Sequence, residues 1–439
     1  MKQRKKLLPW LLLLLLCPGI ISAGEIIEYQ LDNGLKILIL EEHKAPVATF
    51  QVWYRAGSRD EPIGKSGLSH LLEHMMFKGT SQYGPQEFSR IVQKNGGTDN
   101  AYTTEDHTTY FQIFSSDRIA IAFDLEADRM QNLTIDPKEM LSERNVVMEE
   151  RRLRYEDDPQ NALFEEVNAA AFKAHPYQRP VIGWMSDLKS IERDDLYEYY
   201  KANYSPRNAY IVIVGDVKPD EMISKIENSF GSIPSGPVRK NVIFSEPVQR
   251  GERRISLKRE AELPYILVGY HTPSFPDDDS YALDVLSLIL SGGKSSRLYK
   301  SLVYEKKVAL NAYAEYSGFS SDAYLFFLGA TAFPGKDIGE VEGHIYAEIE
   351  KIITERPDDR EVMKAKNQIE SSFIMEQDSI FLQAMKYGTF EMLGGWRLID
   401  KYLVGIRKVT AEDIIRVAKK YFTEENRTVG VLMPMKNSK

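Results

Sequence analysis

The sequence predicts an α+β fold of two similar halves, each an antiparallel sheet faced by helices. The first observation is a repeat. A helical segment at 195–204, with Asn208 after it, recurs 218 positions further on, where Asn426 stands opposite Asn208. The second observation is that a helical segment at 67–79 has a counterpart at 281–293, in the same order along the chain. A constant spacing across helix, turn and strand favours a diverged duplication over chance similarity.

The order of elements within each half supports this fold class. Asn33-Gly34 lies between two runs of apolar residues, which predicts a β-hairpin at the start of the sheet. Apolar periodicity and Thr/Tyr content predict strands at 48–55, 100–114 and 209–214, and helices at 67–77, 85–94 and up to about residue 170. In the second half, a predicted strand at 265–270 is followed by a helix at 281–290.

The boundary between the halves is predicted where the composition changes. Residues 231–252 are rich in Gly, Pro, Ser and charged residues, as is usual for a linker. A chain of 439 residues is also long enough for two domains. We therefore predict an N-terminal domain at 25–235, a linker at 236–252 and a C-terminal domain at 253–439.

Residues 1–24 have the pattern of a secretory signal peptide. Four basic residues among the first six precede the apolar run Leu7–Leu16, and small residues follow up to Ala23. One alternative is a retained anchor, but the run is shorter than the roughly 20 residues of a membrane span. Another is a lipoprotein through Cys17, although Leu16 stands where a small residue is expected. Cleavage is favoured, so we predict export to a bacterial periplasm or the extracellular space, with no stable membrane span afterwards.

Charge and cysteine content exclude several classes of function. The chain has a net charge of −8, which becomes −12 once the four positive charges of residues 1–24 are removed. An acidic protein of this kind is not expected to bind nucleic acid. Cys17 is the only cysteine, so the exported chain has no disulfide and no thiolate ligand. Any metal site must therefore use His, Asp or Glu.

Residues 70–74 read His-Leu-Leu-Glu-His, which indicates a metal site on a helix. His70 and His74 are four positions apart and share a helix face, while Glu73 can act as a base beside the metal. This is the reversed zincin motif. A catalytic zinc needs a third ligand, and the helix that contains Glu143 and Glu150, two turns apart, is the best source. Short motifs also arise by chance, and acidic helices are often only solvated faces.

Several motifs, taken together, resemble the pitrilysin/insulinase family of zinc peptidases, or inverzincins. This family includes the mitochondrial processing peptidase and many bacterial half-length peptidases. The similarity extends in order from about residue 25 to the C-terminus. The segments that carry it are 67–80, 95–103, 143–150, 175–183, 203–216 and 291–299.

The resemblance implies a role for each residue of the metal site. His70, His74 and Glu150 would bind one zinc ion per chain. Glu73 would be the general base that takes a proton from the attacking water. Glu143 would be a supporting carboxylate behind the ligands. The alternative for Glu143 is a simple acid on a helix face.

The resemblance also implies residues that contact the substrate. Asn100 and Ala101 would lie on an edge strand that pairs with the substrate backbone; the alternative is an ordinary strand packed within a sheet. From the second half, Arg297 and Tyr304 would approach the reacting carbonyl. The alternatives are a salt-bridging Arg297 and a core Tyr304, and Tyr299 competes with Tyr304 for this role.

The predicted function is that of a zinc metalloendopeptidase acting on peptides or unfolded segments. The resemblance implies two halves that enclose a chamber, and a homodimer or a heterodimer with a related chain. A catalytically silent scaffold or substrate-binding subunit is the alternative, since the family contains such members. Silent members tend to lose some of the site residues. This chain retains both histidines, the base and the distal glutamate, which favours the enzyme. His107 and His175 also lie near motif segments, and we interpret both as structural.

Overall fold

The structure is a computed structural model that describes residues 25–238 and 242–435. The predicted signal peptide at 1–24 lies outside the described residues, as does part of the predicted linker. Among the residues described, we find no helix with the length and apolar character required to cross a membrane.

The first half contains a six-stranded sheet with the strand order β1-β2-β6-β3-β5-β4. Its strands are β1 (Ile27–Gln30), β2 (Lys36–Glu41), β3 (Val47–Tyr54), β4 (Thr98–Thr103), β5 (Thr108–Ser115) and β6 (Ala209–Gly215). β2 and β6 are parallel, and all the other neighbours are antiparallel. β1 and β2 form the hairpin that Asn33-Gly34 predicts.

The second half contains a five-stranded sheet with the strand order β7-β11-β8-β10-β9. Its strands are β7 (Arg253–Arg259), β8 (Tyr265–Thr272), β9 (Ala309–Tyr316), β10 (Tyr324–Ala332) and β11 (Arg427–Pro434). Here too one pair, β7 and β11, is parallel and the other neighbours are antiparallel.

Helices cover both sheets. Those of the first half are α1 (Leu68–Met75), α2 (Glu87–Lys94), α3 (Ala120–Asn132), α4 (Pro137–Arg151), α5 (Pro159–Ala171), α6 (Met185–Ser190), α7 (Arg193–Asn203) and α8 (Pro219–Phe230). Those of the second half are α9 (Asp278–Ser291), α10 (Ile338–Thr354), α11 (Asp359–Met375), α12 (Ile380–Met392), α13 (Leu398–Lys408) and α14 (Ala411–Tyr421). Each half has its own large apolar core between sheet and helices.

Apart from β1, the strands of the two halves follow one topology, which confirms the predicted fold class. β2, β6, β3, β5 and β4 correspond in order to β7, β11, β8, β10 and β9. The turn before the last strand of each half is built in the same way. The side-chain amide of Asn208 donates to the carbonyl of Asn203 at 2.7 Å, and that of Asn426 donates to the carbonyl of Tyr421 at 2.8 Å. The repeat seen in the sequence is therefore a repeat of structure.

Each half lends a helix to the other. α5 packs on β7, β8 and β11 of the second sheet, and α12 packs on β3 and β6 of the first. The close approach of α12 depends on Gly388, because a Cβ there would lie 2.2 Å from the indole ring of Trp53. The hydroxyl of Tyr210 donates to the carbonyl of Gly388 at 2.8 Å. The predicted domain limits place α5 in the N-terminal domain and α12 in the C-terminal domain, and these limits stay a prediction.

One predicted element is divided in the structure. Residues 100–114, predicted as a single strand, form the hairpin of β4 and β5 with a turn at 104–107. The hydroxyl of Thr104 accepts hydrogen bonds from the backbone N–H groups of Asp106 and His107 and so closes the turn. A side chain that binds nearby backbone in this way competes with the sheet ladder.

Candidate metal centre

α1 is fixed by its apolar face and by its first turn. Leu68, Leu71, Leu72 and Met75 are buried in the core of the first half, which turns the polar residues of the helix toward α4. The carboxylate of Glu61 accepts hydrogen bonds from the backbone N–H of Gly67 at 2.9 Å and of Ser69 at 2.7 Å. These are donors that the start of a helix leaves without intrahelical partners.

Three side chains converge between α1 and α4. The Nε2 atoms of His70 and His74 lie 3.8 Å and 3.5 Å from the same carboxylate oxygen of Glu150. The ligand atoms of the three residues all lie within 4.8 Å of one another. Two ligands bound about 2 Å from one zinc ion are at most about 4 Å apart, so small adjustments close this set on an ion. Two imidazoles and a carboxylate are also a donor set that suits zinc.

The carboxylate of Glu143 lies behind the histidine pair. One of its oxygens is 2.9 Å from Nδ1 of His74, and the other is 2.5 Å from the ammonium of Lys78. Burial opposes ionisation of Glu143, but the bonds to His74 and Lys78 outweigh it and lower its pKa. The contact leaves Nε2 of His74 directed toward Glu150.

The protonation of the two histidines differs. Burial, with smaller contributions from His74 and Arg154, lowers the pKa of His70 to about 3, so this ring is neutral near pH 7. Neutral imidazole is the form that binds a metal. Burial also acts to lower the pKa of His74, but its bond to Glu143 and the nearby carboxylates raise it overall.

Glu73 lies next to the three ligands without belonging to them. One of its carboxylate oxygens accepts a hydrogen bond from the hydroxyl of Thr103 at 2.6 Å. Burial is the largest influence and raises the pKa of Glu73 above its ordinary value. A carboxylate with a raised pKa is well suited to accept a proton near neutral pH.

Asn100 and Ala101 lie on β4, the last strand in the order of the first sheet. Within the described chain, β4 pairs only with β5, so its other edge has no strand beside it. Thr103, the last residue of the same strand, contacts Glu73, so one end of this edge lies at the candidate site.

Arg297 and Tyr304 lie elsewhere. The guanidinium of Arg297 forms two hydrogen bonds, at 2.8 and 2.7 Å, to the carboxylate of Glu361. Tyr304 is 72% exposed on a π-helical turn, Tyr299–Glu305. The contacts described for this chain do not join either residue to the His-His-Glu cluster, and their roles stay predictions.

His107 and His175, the two histidines interpreted as structural, each contact other side chains of the fold. His107 stacks on Trp53 with ring centroids 4.8 Å apart, and its Nδ1 lies 3.0 Å from the hydroxyl of Thr104. Nε2 of His175 lies 3.0 Å from the carboxylate of Asp322, in a contact between the two halves.

Glu61, Lys78 and Thr103 support the site but were not predicted from the sequence. Thr103 is the last residue of the motif segment 95–103, and this position was the only sign of its role in the sequence. Lys78 lies within another motif segment, three positions after the end of α1. Glu61 precedes the motif and carries no local pattern that marks it.

The comparisons with known proteins agree with this architecture. The family model described as "Insulinase (Peptidase family M16)" matches residues 36–184, and the one described as "Peptidase M16 inactive domain" matches residues 190–369. The zinc protease PqqE of Helicobacter pylori is 31% identical over 408 residues, which cover 92% of each chain. The probable mitochondrial-processing peptidase subunit beta of Arabidopsis thaliana is 28% identical over 95% of this chain and 80% of that protein.

Solved structures show the same fold. The crystal structure of a protease from Helicobacter pylori superposes with a TM-score of 0.90 at 30% identity, covering 94% of this chain and all of that one (100%). Two matched halves with a His-His-Glu cluster in the first define the class, a protein of a metallopeptidase family. The chain belongs to the insulinase family, peptidase family M16.

Proposed function

We propose that the chain is a zinc metalloendopeptidase that hydrolyses peptide bonds in peptides or unfolded segments. The observation that carries this proposal is the convergence of His70, His74 and Glu150 next to the half-buried carboxylate of Glu73. The cluster supplies three ligands for one zinc ion, and a catalytic zinc needs a fourth position for water or substrate. A metal-storage site would not need Glu73.

Each residue has a separate task in this mechanism. Bound zinc supplies a Lewis acid for the scissile carbonyl and the attacking water. Glu73 takes a proton from that water and then gives it to the leaving amine. Thr103 holds the carboxylate of Glu73 in place through its 2.6 Å hydrogen bond. Glu143, held by Lys78, fixes the ring of His74.

The edge of β4 is the proposed binding site for the substrate backbone. An added strand beside Asn100 and Ala101 would pair with the backbone of this edge whatever its side chains are. The N–H of Ala101 now donates to the side-chain oxygen of Asn100 at 2.9 Å, and an added strand would replace that bond. The added strand would lead toward Thr103 and Glu73 at the end of β4. Arg297 and Tyr304 are proposed to act at the reacting carbonyl.

Export and pairing are part of the same proposal. The pattern of residues 1–24 supports cleavage and a periplasmic or extracellular location. The proposed assembly is a homodimer, or a heterodimer with a related chain, that encloses the substrate in a chamber. The Arabidopsis relative is named as a subunit, subunit beta, which supports an association of chains.

The test is cleavage of unstructured peptides by the chain without residues 1–24. We expect cleavage that stops when a chelator is added and returns with zinc. Glu73→Gln should stop cleavage while the protein still holds one zinc per chain, because this residue is not a ligand. Asp278→Asn, an exposed carboxylate of α9, is a matched control that should remain active.

Two results would count against the proposal. If the protein holds zinc but cleaves no peptide, alone or with a related chain, the silent scaffold or substrate-binding subunit becomes the better account. If Glu73→Gln cleaves as fast as the parent, the assignment of the base is wrong.

A further inference from the structure

The second half contains a cavity of about 390 Å³ at the position that corresponds to the metal site. It lies between α9, α11, α12 and α13, and it is large enough to hold a ligand group. In the repeat, His70 and His74 of α1 stand opposite Asp284 and Leu288 of α9, and both of these line the cavity. The second half, whose described residues form no group of His and Glu side chains like that of the first, thus has a cleft in the same place.

Aromatic rings form much of the wall of this cavity. Phe319 lies with its ring centroid 5.3 Å from that of Tyr402 and 5.6 Å from that of Phe390. The ring of Phe373 is 6.2 Å from that of Tyr402. The faces of such rings attract cations and also pack well against aliphatic chains.

Asp284 provides a negative charge within the aromatic wall. One of its oxygens accepts a hydrogen bond from the hydroxyl of Tyr402, and its other oxygen has no partner among the residues that the structure describes. No Lys, Arg or His in the described ranges forms an ion pair with it. Burial raises the pKa of Asp284 to about 6, which leaves the carboxylate ionised at neutral pH.

The cation already present in the cavity does not neutralise Asp284. The ammonium of Lys386 is 2.7 Å from the carboxylate of Glu376 and donates to the carbonyl of Phe373 at 2.9 Å. It also lies 3.6 Å from the centre of the Phe373 ring. Lys386 is therefore matched with Glu376, and the cavity keeps one uncompensated negative charge.

We propose that this cavity binds a side chain with an aliphatic stem and a cationic end, an arginine or a lysine of the substrate peptide. The stem packs on the rings of Phe319 and Phe390, and the cation binds Asp284. This inference rests on the proposed peptidase function in one respect, which is that the ligand is a peptide. A free guanidinium or ammonium compound shares the same chemistry, and the test separates the two sources.

The test measures binding, not cleavage, with zinc removed and in the Glu73→Gln background. The probes are short fluorescent peptides of Gly, Ser and Ala with one arginine, or with one citrulline, its neutral isostere. We expect the arginine peptide to bind about tenfold more tightly or better, as a hydrogen bond to a charged group implies. In Asp284→Asn this ratio should fall to about one, and in the control Asp278→Asn it should stay unchanged.

Two additions keep the test decisive. Asn at 284 can still accept a bond from Tyr402, and thermal unfolding checks that the variant is folded. Phe319→Ala, at a residue that is 45% exposed, should weaken binding of the arginine peptide without unfolding the chain. Equal binding of both peptides, or a ratio that Asp284→Asn leaves unchanged, would overturn the proposal.

Competition identifies the ligand. If agmatine binds in an Asp284-dependent way while the peptides show no preference, the cavity holds a free cation, and the substrate assignment is overturned. Binding is measured without zinc, so it is independent of cleavage. If the zinc-loaded parent chain cleaves no peptide but the Asp284-dependent preference is found, the proposed peptidase function is wrong and the proposed cation site stands.

Discussion

The two halves of this chain have the same topology and different chemistry. Both build the turn before their last strand with an Asn, Asn208 in one and Asn426 in the other. At the matching helix, however, α1 presents two histidines to Glu150 on α4, whereas α9 presents Asp284 and Leu288 to an aromatic cavity. The scaffold thus determines where a cleft lies, and a few side chains determine what the cleft binds.

The largest expected effect comes from removing a ligand. His74→Ala should abolish zinc binding at micromolar zinc and reduce cleavage to background, because two ligands hold zinc far more weakly than three. Leu288→Ala, at the matching position of the second half, should keep one zinc per chain. Zinc content after dialysis measures both variants. If His74→Ala keeps all its zinc, His74 is not a ligand, and the first half does not differ from the second in the way proposed.

The next effect concerns the carboxylate behind the ligands. Glu143→Gln should weaken zinc affinity by about 10- to 100-fold, since it loses the charge that orients His74 and pairs with Lys78. A competitive chelator titration gives the affinity. Glu139→Gln, a partly exposed acid on the first turn of α4, is the matched control and should leave the affinity unchanged. Equal affinities for both variants would make Glu143 a simple helix-face acid.

A pH effect is expected from Glu61, at the start of α1. Burial is the main cause that raises its pKa to about 8, from an ordinary value of 4.5. The folded state therefore binds this proton more tightly than the unfolded state, and its contribution to the free energy of unfolding falls as pH rises from about 4.5 to about 8. Glu61→Gln should flatten that part of the slope in urea unfolding at pH 5 to 8. An identical slope in parent and variant would contradict the assignment.

The smallest expected effect is that of Tyr304→Phe in the second half. Tyr304 is 72% exposed, so the free energy of unfolding should change by no more than about 0.5 kcal/mol. If its hydroxyl acts at the reacting carbonyl, kcat should fall by roughly several-fold with KM and zinc content unchanged. Tyr197→Phe, a partly exposed tyrosine of the first half, is the control. Unchanged kcat in Tyr304→Phe would remove the Tyr304 hydroxyl from the proposed mechanism.

Much of the fold and of the site could be predicted from local pattern. Asn33-Gly34 predicts its hairpin, and the spacing of His70 and His74 predicts one shared helix face. The resemblance to the family implies Glu150 as the third ligand, and the structure brings these three side chains together. Local pattern failed at residues 100–114, where the side chain of Thr104 divides a β-rich run into two strands.

What could not be predicted depends on contacts between distant segments. The bond from Thr103 to Glu73 joins a strand to a helix 30 positions away. The packing of α12 against Trp53 requires Gly388, which has no pattern that marks it in the sequence. Such contacts are set by how the elements pack, and the periodicity within an element does not report them.

The most direct measurement is anomalous X-ray diffraction at the zinc edge from crystals of the zinc-loaded chain. We predict one peak per chain, about 2 Å from Nε2 of His70, from Nε2 of His74 and from a carboxylate oxygen of Glu150. We predict no peak between Asp284 and Leu288. A peak at the second-half cavity, or none between α1 and α4, would contradict the assignment of the metal to the first half.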